Sequence, residues 1–213
     1  APDYILVEKK IKKILINKII KEIEIAFTKE IKNSKDYGRI IHENHLEKLL
    51  KSLKNQKIIY GGINEKKDLY LSPTIVDEPN LDSELMQEEI FGPILPIISY
   101  ESNDRIFKII KNLEKPLAFY IFSKNKSFIN LMLNKFSFGG GVVNDTLIQF
   151  ANINLPFGGI GASGMGAYHG KHSFKLFSHF KPVVKRSFLF DLPQRFAPYP
   201  KSIKFLKFLL NKL

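Results

Sequence analysis

The middle of the chain alternates apolar, strand-like runs with helix-period segments, and this alternation restricts the fold more than any other feature. Residues 94–100 and 117–123 have the character of strands, and residues 141–143 open another. Helical periodicity fills the intervals at 102–113 and 126–136. Strands without polar alternation, separated by helices, are typical of βαβ units around a buried parallel sheet. The pattern predicts an α/β fold with an open parallel sheet.

The N-terminal part carries the same two kinds of signal. Apolar residues three and four apart predict a long amphipathic helix at 6–30 and a second helix at 40–53. Two β-rich runs follow, at 57–60 and 69–76.

The C-terminal part has a different character. Residues 155–170 contain six glycines, too many for the interior of a helix or strand, so we expect an ordered loop. Residues 173–187 fit an extended edge segment, and 203–213 fit a last amphipathic helix. One face of that helix carries Ile203, Phe205, Leu206, Leu209, Leu210 and Leu213.

Composition excludes several function classes. The 213 residues contain no Cys, which excludes disulfides, thiolate metal sites and a thiol nucleophile within this sequence. The net charge is +12, but the basic residues are mostly Lys. Arg is the side chain that forms bidentate hydrogen bonds with guanine and phosphate, so we expect no nucleic-acid partner. No apolar run is long enough to cross a bilayer, and the start has neither Met nor the layout of a signal peptide. We expect a soluble, cytoplasmic piece that begins in mid-protein.

The glycine loop contains motif matches that its context rejects. Gly159-x-Gly161-x-x-Gly164 has the dinucleotide fingerprint spacing, but Pro156 precedes it and no helix can follow through Gly166. His169 borders this loop. Both a site role and an ordinary structural role remain open for it.

Residues 87–93 form a stronger candidate site. Glu89 and Phe91 lie on one side of an extended segment that leads into the strand at 94–100. A carboxylate there can accept hydrogen bonds from a sugar diol, with the aromatic ring as an apolar wall. The alternative interpretation is a solvated acidic turn followed by a core Phe.

The order of several motifs resembles the C-terminal half of the aldehyde dehydrogenase superfamily. They are QEEIFGP at 87–93, PLAxYxFS at 116–123, GGxxVND at 139–145 and LPFGGxGxSGxG at 155–166. The segments DYGRII at 36–41, YHGKxSF at 168–174 and FSH at 177–179 resemble the class 3 or fatty-aldehyde branch.

The resemblance implies roles for particular residues. Glu89 would hydrogen-bond the nicotinamide ribose of NAD or NADP, Phe91 would pack beside the nicotinamide, and Asn144 would support the site. The residues expected to line or gate an aldehyde tunnel are Phe150, Ala151, Phe157 and His169. No metal is implied.

The resemblance also implies a domain plan. Residues 1–170 would be part of the catalytic domain, 171–190 an oligomerisation segment and 191–213 a basic tail with the amphipathic helix. Within the second of these, 178–187 resembles a strand that joins a partner subunit's sheet, so the complete enzyme would be a homodimer.

The family's nucleophilic Cys and most of its nucleotide-binding domain have no counterpart in the sequence. The expectation is the C-terminal part of an NAD(P)-dependent enzyme that oxidises an aldehyde, a fatty aldehyde among the candidates, to a carboxylic acid. This part would be inactive without a missing N-terminal half. The alternative is a non-catalytic remnant that binds a protein or, through its basic tail, a membrane surface.

Overall fold

The computed structural model describes residues 2–189 together with 197–198, 204, 207–208 and 211. The chain divides into two compact units, Ala1–Phe177 and Ser178–Leu213. The first unit contains the regular elements that carry the candidate site.

Eight strands and seven α-helices occur in the described part of the first unit. The strands are β1 (Ile5–Glu8), β2 (Ile58–Tyr60), β3 (Asn64–Glu65), β4 (Tyr70–Leu71), β5 (Thr74–Asp77), β6 (Ile94–Tyr100), β7 (Ala118–Ile121) and β8 (Gly140–Val143). The helices are α1 (Lys12–Phe27), α2 (Glu43–Ser52), α3 (Glu84–Gln87), α4 (Asn103–Lys111), α5 (Lys126–Lys135), α6 (Ile148–Ala151) and α7 (Gly170–Leu176).

The main sheet has four strands in the order β1-β6-β5-β2. β1 and β5 both pair in parallel with β6, and β2 adds an antiparallel edge. β7 and β8 form a separate parallel pair, and β3 and β4 form a short hairpin. The prediction of an α/β fold with an open parallel sheet is confirmed.

Helices cover both faces of the main sheet because successive residues of its strands point to opposite sides. On one face, Val7, Ile75 and Ile97 are buried under apolar residues of α1. On the other face, Val76 and Ile94 are buried under α2. α3 and α4 close the same face around Ile98.

The prediction of a helix over 6–30 is wrong at its start. Ile5–Glu8 form β1 in register with Ile97–Tyr100, and a short 3₁₀ turn over Lys9–Ile11 precedes α1. Val7 is buried by this pairing. As an edge strand, β1 forms backbone hydrogen bonds with β6 and buries apolar side chains. Periodicity along the chain does not contain the information about this distant partner.

The central predictions agree closely with the structure. β6 spans the whole predicted run 94–100, and the Ser102 hydroxyl caps α4 by accepting a hydrogen bond from the Arg105 amide. α2 is shorter than the predicted 40–53, and the predicted strand at 69–76 is divided into β4 and β5. Pro73 lies at that division and lacks the amide that a continuous ladder requires.

Residues 155–169 form the expected loop. Backbone hydrogen bonds between Phe157 and Tyr168 close it at its base. Gly158 lies so close to the carbonyl oxygen of Gly166 that a Cβ at this position would overlap that oxygen. Glycine at this position therefore allows two segments of the loop backbone to approach each other closely.

The prediction of an extended segment at 173–187 is wrong over its first part, because α7 occupies Gly170–Leu176. The Ser173 hydroxyl accepts a hydrogen bond from the His169 amide, which fastens the start of this helix. Residues 178–187 are described without regular structure in the single chain. A strand that joins a second subunit there stays a prediction. The six apolar residues predicted to form the face of the terminal helix at 203–213 lie outside the described residues, as does most of the predicted tail domain.

Candidate cofactor and substrate site

The structure distinguishes between the adjacent carboxylates Glu88 and Glu89. Glu88 forms an ion pair with Lys48 of α2, and this hydrogen bond and charge lower the pKa of Glu88. Glu89 is also exposed and has no ion-pair or hydrogen-bond partner within the described chain. Partial desolvation, and then the nearby Asp3 carboxylate, raise the pKa of Glu89. Glu89 is therefore the carboxylate of this pair that is available to a ligand.

The segment that carries Glu89 is held firmly to the body of the protein. The Ile90 amide donates a hydrogen bond to Asp3 Oδ1 at 3.2 Å, and the Ile90 side chain is buried in the core. Beyond the loop, the Thr74 amide donates to the Pro93 carbonyl at 2.8 Å. The loop thus presents Glu89 from a fixed base.

Phe91 is presented to solvent and does not belong to the core. Its side chain is 74% exposed, and its φ of 48° lies in the left-handed region. The expected extended segment at 87–93 therefore ends at Phe91. The alternation of side chains along a strand does not explain why both Glu89 and Phe91 are exposed. The alternative interpretation of Phe91 as a core residue is wrong. His45 Nε2 lies 3.0 Å from the Phe91 carbonyl oxygen.

Asn144 lies directly after β8 and connects it to the end of β7. Its Oδ1 accepts from the Ser123 amide at 2.8 Å, and its Nδ2 donates to the Ser123 carbonyl at 3.1 Å. Its own amide donates to the Ile121 carbonyl at 2.8 Å. Asn144 thus lies at the end of its strand, and its role in supporting the site stays a prediction.

Three of the four expected tunnel residues form one aromatic cluster. The ring of Phe150 lies 5.1 Å from that of Phe157 and 5.4 Å from that of His169, and the Phe157 and His169 rings are stacked at 5.6 Å. Ala151 ends α6 beside Phe150 and is exposed. The structure thus brings together residues from α6, the glycine loop and the start of α7.

Tyr168 is a member of this cluster that the sequence interpretation missed. Its ring contacts Phe157 at 5.7 Å and His169 at 4.6 Å, both edge to face. The sequence contained a signal for this role, since Tyr168 is an aromatic residue that directly precedes His169 at the end of the glycine loop.

His169 combines an unusual backbone with an unpaired ring nitrogen. Its φ is 94°, and its buried Nδ1 has no hydrogen-bond partner in the described structure. A buried ring nitrogen without a hydrogen-bond partner destabilises the folded state unless a ligand or water forms a hydrogen bond with it. The arrangement places this buried polar atom among mainly apolar rings.

Among the described residues, no group of three or more His, Asp or Glu could hold a metal ion. The helices in the part of the chain that the structure describes are too short or too polar to cross a membrane.

Comparison with known proteins identifies the family. The sequence profile of the aldehyde dehydrogenase family matches residues 1–183. The chain belongs to this family. Family members are oxidoreductases, and the resemblance stated from the motifs is confirmed.

Individual relatives place the chain near the class 3 branch of the family. It is 43% identical to 4,4'-diaponeurosporen-aldehyde dehydrogenase of Staphylococcus aureus over 97% of this chain and 46% of that protein. It is 42% identical to aldehyde dehydrogenase family 3 member A2 of Mus musculus over 100% of this chain and 44% of that protein. The substrate-bound structure of an aldehyde dehydrogenase, AldH, from Staphylococcus aureus superimposes with a TM-score of 0.86 at 42% identity, over 99% of this chain and 46% of that chain.

This family member therefore spans less than half the length of the curated relatives it matches. It also contains no cysteine. What it shares with them is the part that carries Glu89, Asn144 and the aromatic cluster.

Proposed function

We propose that the chain is the C-terminal portion of an NAD(P)-dependent aldehyde dehydrogenase that oxidises an aldehyde to a carboxylic acid. The observation that carries the proposal is the pair formed by Glu89 and Phe91. Glu88 is paired with Lys48, whereas Glu89 is exposed and unpaired among the described residues, and the exposed Phe91 follows two residues later. A fixed carboxylate next to a flat apolar surface suits a ribose joined to a planar ring.

The residues present fit one end of the dinucleotide. Glu89 would accept hydrogen bonds from ribose hydroxyls, and Phe91 would pack against the nicotinamide. When bound, NAD(P) supplies the acceptor for the hydride that leaves the substrate. The chain's own residues bind and orient the cofactor and exclude water from its nicotinamide end.

The aromatic cluster would receive the aldehyde. Phe150, Phe157 and Tyr168 offer apolar ring surface, with Ala151 at the margin. The unpaired Nδ1 of His169 provides one polar contact. Such a lining suits an aldehyde with an apolar chain. The names of two relatives, 4,4'-diaponeurosporen-aldehyde dehydrogenase and aldehyde dehydrogenase family 3 member A2, motivate a test of large apolar aldehydes.

Oxidation of an aldehyde by this family's chemistry needs a thiolate, which this sequence lacks. We therefore assign the thiol to a preceding half supplied as a partner. We also propose a homodimer of the complete enzyme through residues 178–187, located in the cytoplasm. In this segment Phe180, Val183 and Val184 are exposed, as expected for a surface that a second subunit covers.

The test combines the 213-residue chain with the preceding half of the Staphylococcus aureus relative, produced separately or co-expressed. Glu89→Gln should raise the Kd for NAD(P) about tenfold, the effect of losing hydrogen bonds to a charged acceptor. It should change stability by less than ~0.5 kcal/mol, because an exposed carboxylate contributes little to folding. Glu88→Gln is the matched control and should leave cofactor affinity unchanged. Equal affinities for both variants and the unmodified complex would contradict the proposal.

A second candidate function rests on a separate observation. Residues 171–189 contain five Lys or Arg and no Asp or Glu. Exposed apolar side chains are interspersed among them, including Phe177, Phe188 and Leu189. A basic segment with exposed apolar residues can bind anionic lipid. We propose that this segment and the tail give peripheral membrane contact.

Flotation with anionic and neutral liposomes tests the membrane contact. The full chain should float with anionic vesicles more than with neutral ones, and a chain that ends at Tyr199 should float less. Equal flotation of the two chains would remove the tail from the proposal. Loss of flotation on substitution of Phe177 and Phe188 by Ser would assign the contact to the segment 171–189.

A further inference from the structure

One face of α2 lies against the loop that presents Glu89 and Phe91. His45, Lys48 and Leu49 are three and four residues apart, which places them on a common side of the helix. His45 approaches the Phe91 carbonyl, and Lys48 pairs with Glu88. A Cβ built on Gly92 would lie 2.6 Å from a methyl carbon of Leu49, so helix and loop are in close contact.

These three contacts differ in how strongly they restrain the conformation of the loop at 88–92. The Lys48–Glu88 ion pair joins two exposed side chains, which solvent screens and which remain mobile. The approach of Leu49 to Gly92 is apolar and has no preferred direction. The hydrogen bond from His45 acts on the Phe91 carbonyl itself, at 3.0 Å, and is directional, so it restrains the orientation of the peptide group that links Phe91 to Gly92. Because a carbonyl can only accept, His45 Nε2 carries the hydrogen.

The Phe91 backbone needs such a restraint. A φ of 48° is unfavourable for a bulky residue with a Cβ, and it persists only where the surroundings enforce it. Relaxation of Phe91 to the extended region would turn its ring away from its present exposed position. Sites where strain is held in this way are often those where a side chain is presented to a ligand.

We propose that His45 is a positioning residue for the nicotinamide end of the cofactor site. It restrains the backbone of Phe91 through its carbonyl oxygen, and so keeps the exposed ring of Phe91 in its present position two residues after Glu89. This inference rests on the proposed function, because it assigns a purpose to the site formed by Glu89 and Phe91. It does not require His45 to touch the cofactor.

The chain by itself gives the first test, by hydrogen exchange of the peptide that covers residues 88–93. His45→Ala should speed exchange in this peptide about fivefold, the effect of losing one hydrogen bond. His45→Gln, whose amide can still donate to the carbonyl, should restore slow exchange. His42→Ala is the matched control, because His42 precedes the same helix and its side chain has no cap hydrogen bond. Equal exchange in the His45→Ala variant and the unmodified chain would overturn the inference.

The reassembled complex gives the second test. His45→Ala should raise the Kd for NAD(P) about fivefold, as expected when one supporting hydrogen bond is lost, and leave the KM for aldehyde unchanged. His45→Gln should recover cofactor affinity, a result that a merely stabilising role for the imidazole would not require. If Glu89→Gln weakens binding and His45→Ala does not, the positioning role is wrong while the proposed function stands. If neither variant weakens binding, the proposed site itself is wrong.

Discussion

The side-chain amide of Asn144 hydrogen-bonds both backbone polar groups of Ser123. These two contacts, at 2.8 and 3.1 Å, join the ends of β7 and β8 just beyond their last paired residues, Ile121 and Val143. Asn144 adopts φ of 62°, a conformation that Asn tolerates better than most residues. The carboxyl ends of parallel strands are where sites form in α/β proteins. Asn144 therefore fixes the backbone at the carboxyl ends of β7 and β8.

We expect Asn144→Asp to destabilise the chain more than its similar shape suggests. The aspartate can accept from the Ser123 amide, but it places a carboxylate oxygen against the Ser123 carbonyl, which offers no hydrogen. The cost should be about 1 kcal/mol, the net contribution of a typical hydrogen bond, because Asn144 is exposed and water can satisfy part of what is lost. Urea unfolding gives this value. Asn134→Ala, which removes an exposed contact within α5, is the control. An Asn144→Asp variant as stable as the parent would contradict this account.

Lys12 should make the stability of the chain depend on pH in a defined direction. Its ammonium pairs with Asp77 and Glu78, and the Lys12 and Asp77 side chains are 15% and 12% exposed. Partial burial alone would raise the pKa of Asp77, but hydrogen bonds from Lys12 and Lys57 outweigh it and lower that pKa. The pKa of Lys12 is raised by the same pairing, against the opposing effect of partial burial.

A carboxyl whose pKa falls on folding stabilises the folded state above its unfolded pKa. We therefore expect Lys12→Met to cost about 1 kcal/mol near neutral pH, after allowance for solvent screening. The difference from the parent should shrink as pH falls below the ordinary aspartate value of 3.8 and as it rises above the ordinary lysine value of 10.5. Unfolding at several pH values measures this. Lys9→Met, which removes an exposed pair with Glu101, should show a much weaker dependence, because solvent screens that pair. A pH-independent difference for Lys12→Met would contradict the prediction.

Gly158→Ala should disrupt the loop that carries the aromatic cluster. The added methyl would overlap the Gly166 carbonyl oxygen, so the loop must open, at about 3 kcal/mol for severe overpacking. Gly166→Ala is the contrast. No neighbour lies near its Cβ position, but its φ is 79°, so we expect only about 1 kcal/mol of backbone strain.

The same two variants should differ in their effect on the aromatic rings. Gly158→Ala should weaken the near-ultraviolet circular dichroism signal because the Phe157–Tyr168 pairing is lost, whereas Gly166→Ala should preserve most of it. Similar stability and spectra for both variants would contradict a role for the close approach of Gly158 to the Gly166 carbonyl.

The purified 213-residue chain alone should form no NADH from an aldehyde and NAD. No side chain in the sequence can replace a thiolate that adds to an aldehyde and later leaves from a thioester. The assay is absorbance of NADH with a large apolar aldehyde, using chain prepared from a host that lacks its own aldehyde dehydrogenases. Addition of the preceding half is the positive control. NADH formation by the chain alone would refute the prediction.

The sequence by itself determined the elements whose signals are local. β6 was predicted from a continuous apolar run at 94–100, and the start of α4 from a Ser at the capping position. The α/β class followed from the alternation of these elements. Glu89, Asn144 and Phe157 were found as candidates because short ordered motifs surround them. Side-chain periodicity and capping depend on neighbours along the chain, so they can be read without the fold.

Tertiary structure decided the features that depend on distant partners. Ile5–Glu8 became a strand because β6 offered backbone groups and an apolar face more than 80 residues away. Lys48 determined which of two adjacent glutamates is free, and His45 restrains the strained peptide of Phe91. The contact between Phe150 and His169 depends on the glycine loop folding back on itself. Pairing, burial and strain are properties of residues brought together in space, and a local sequence pattern does not contain them.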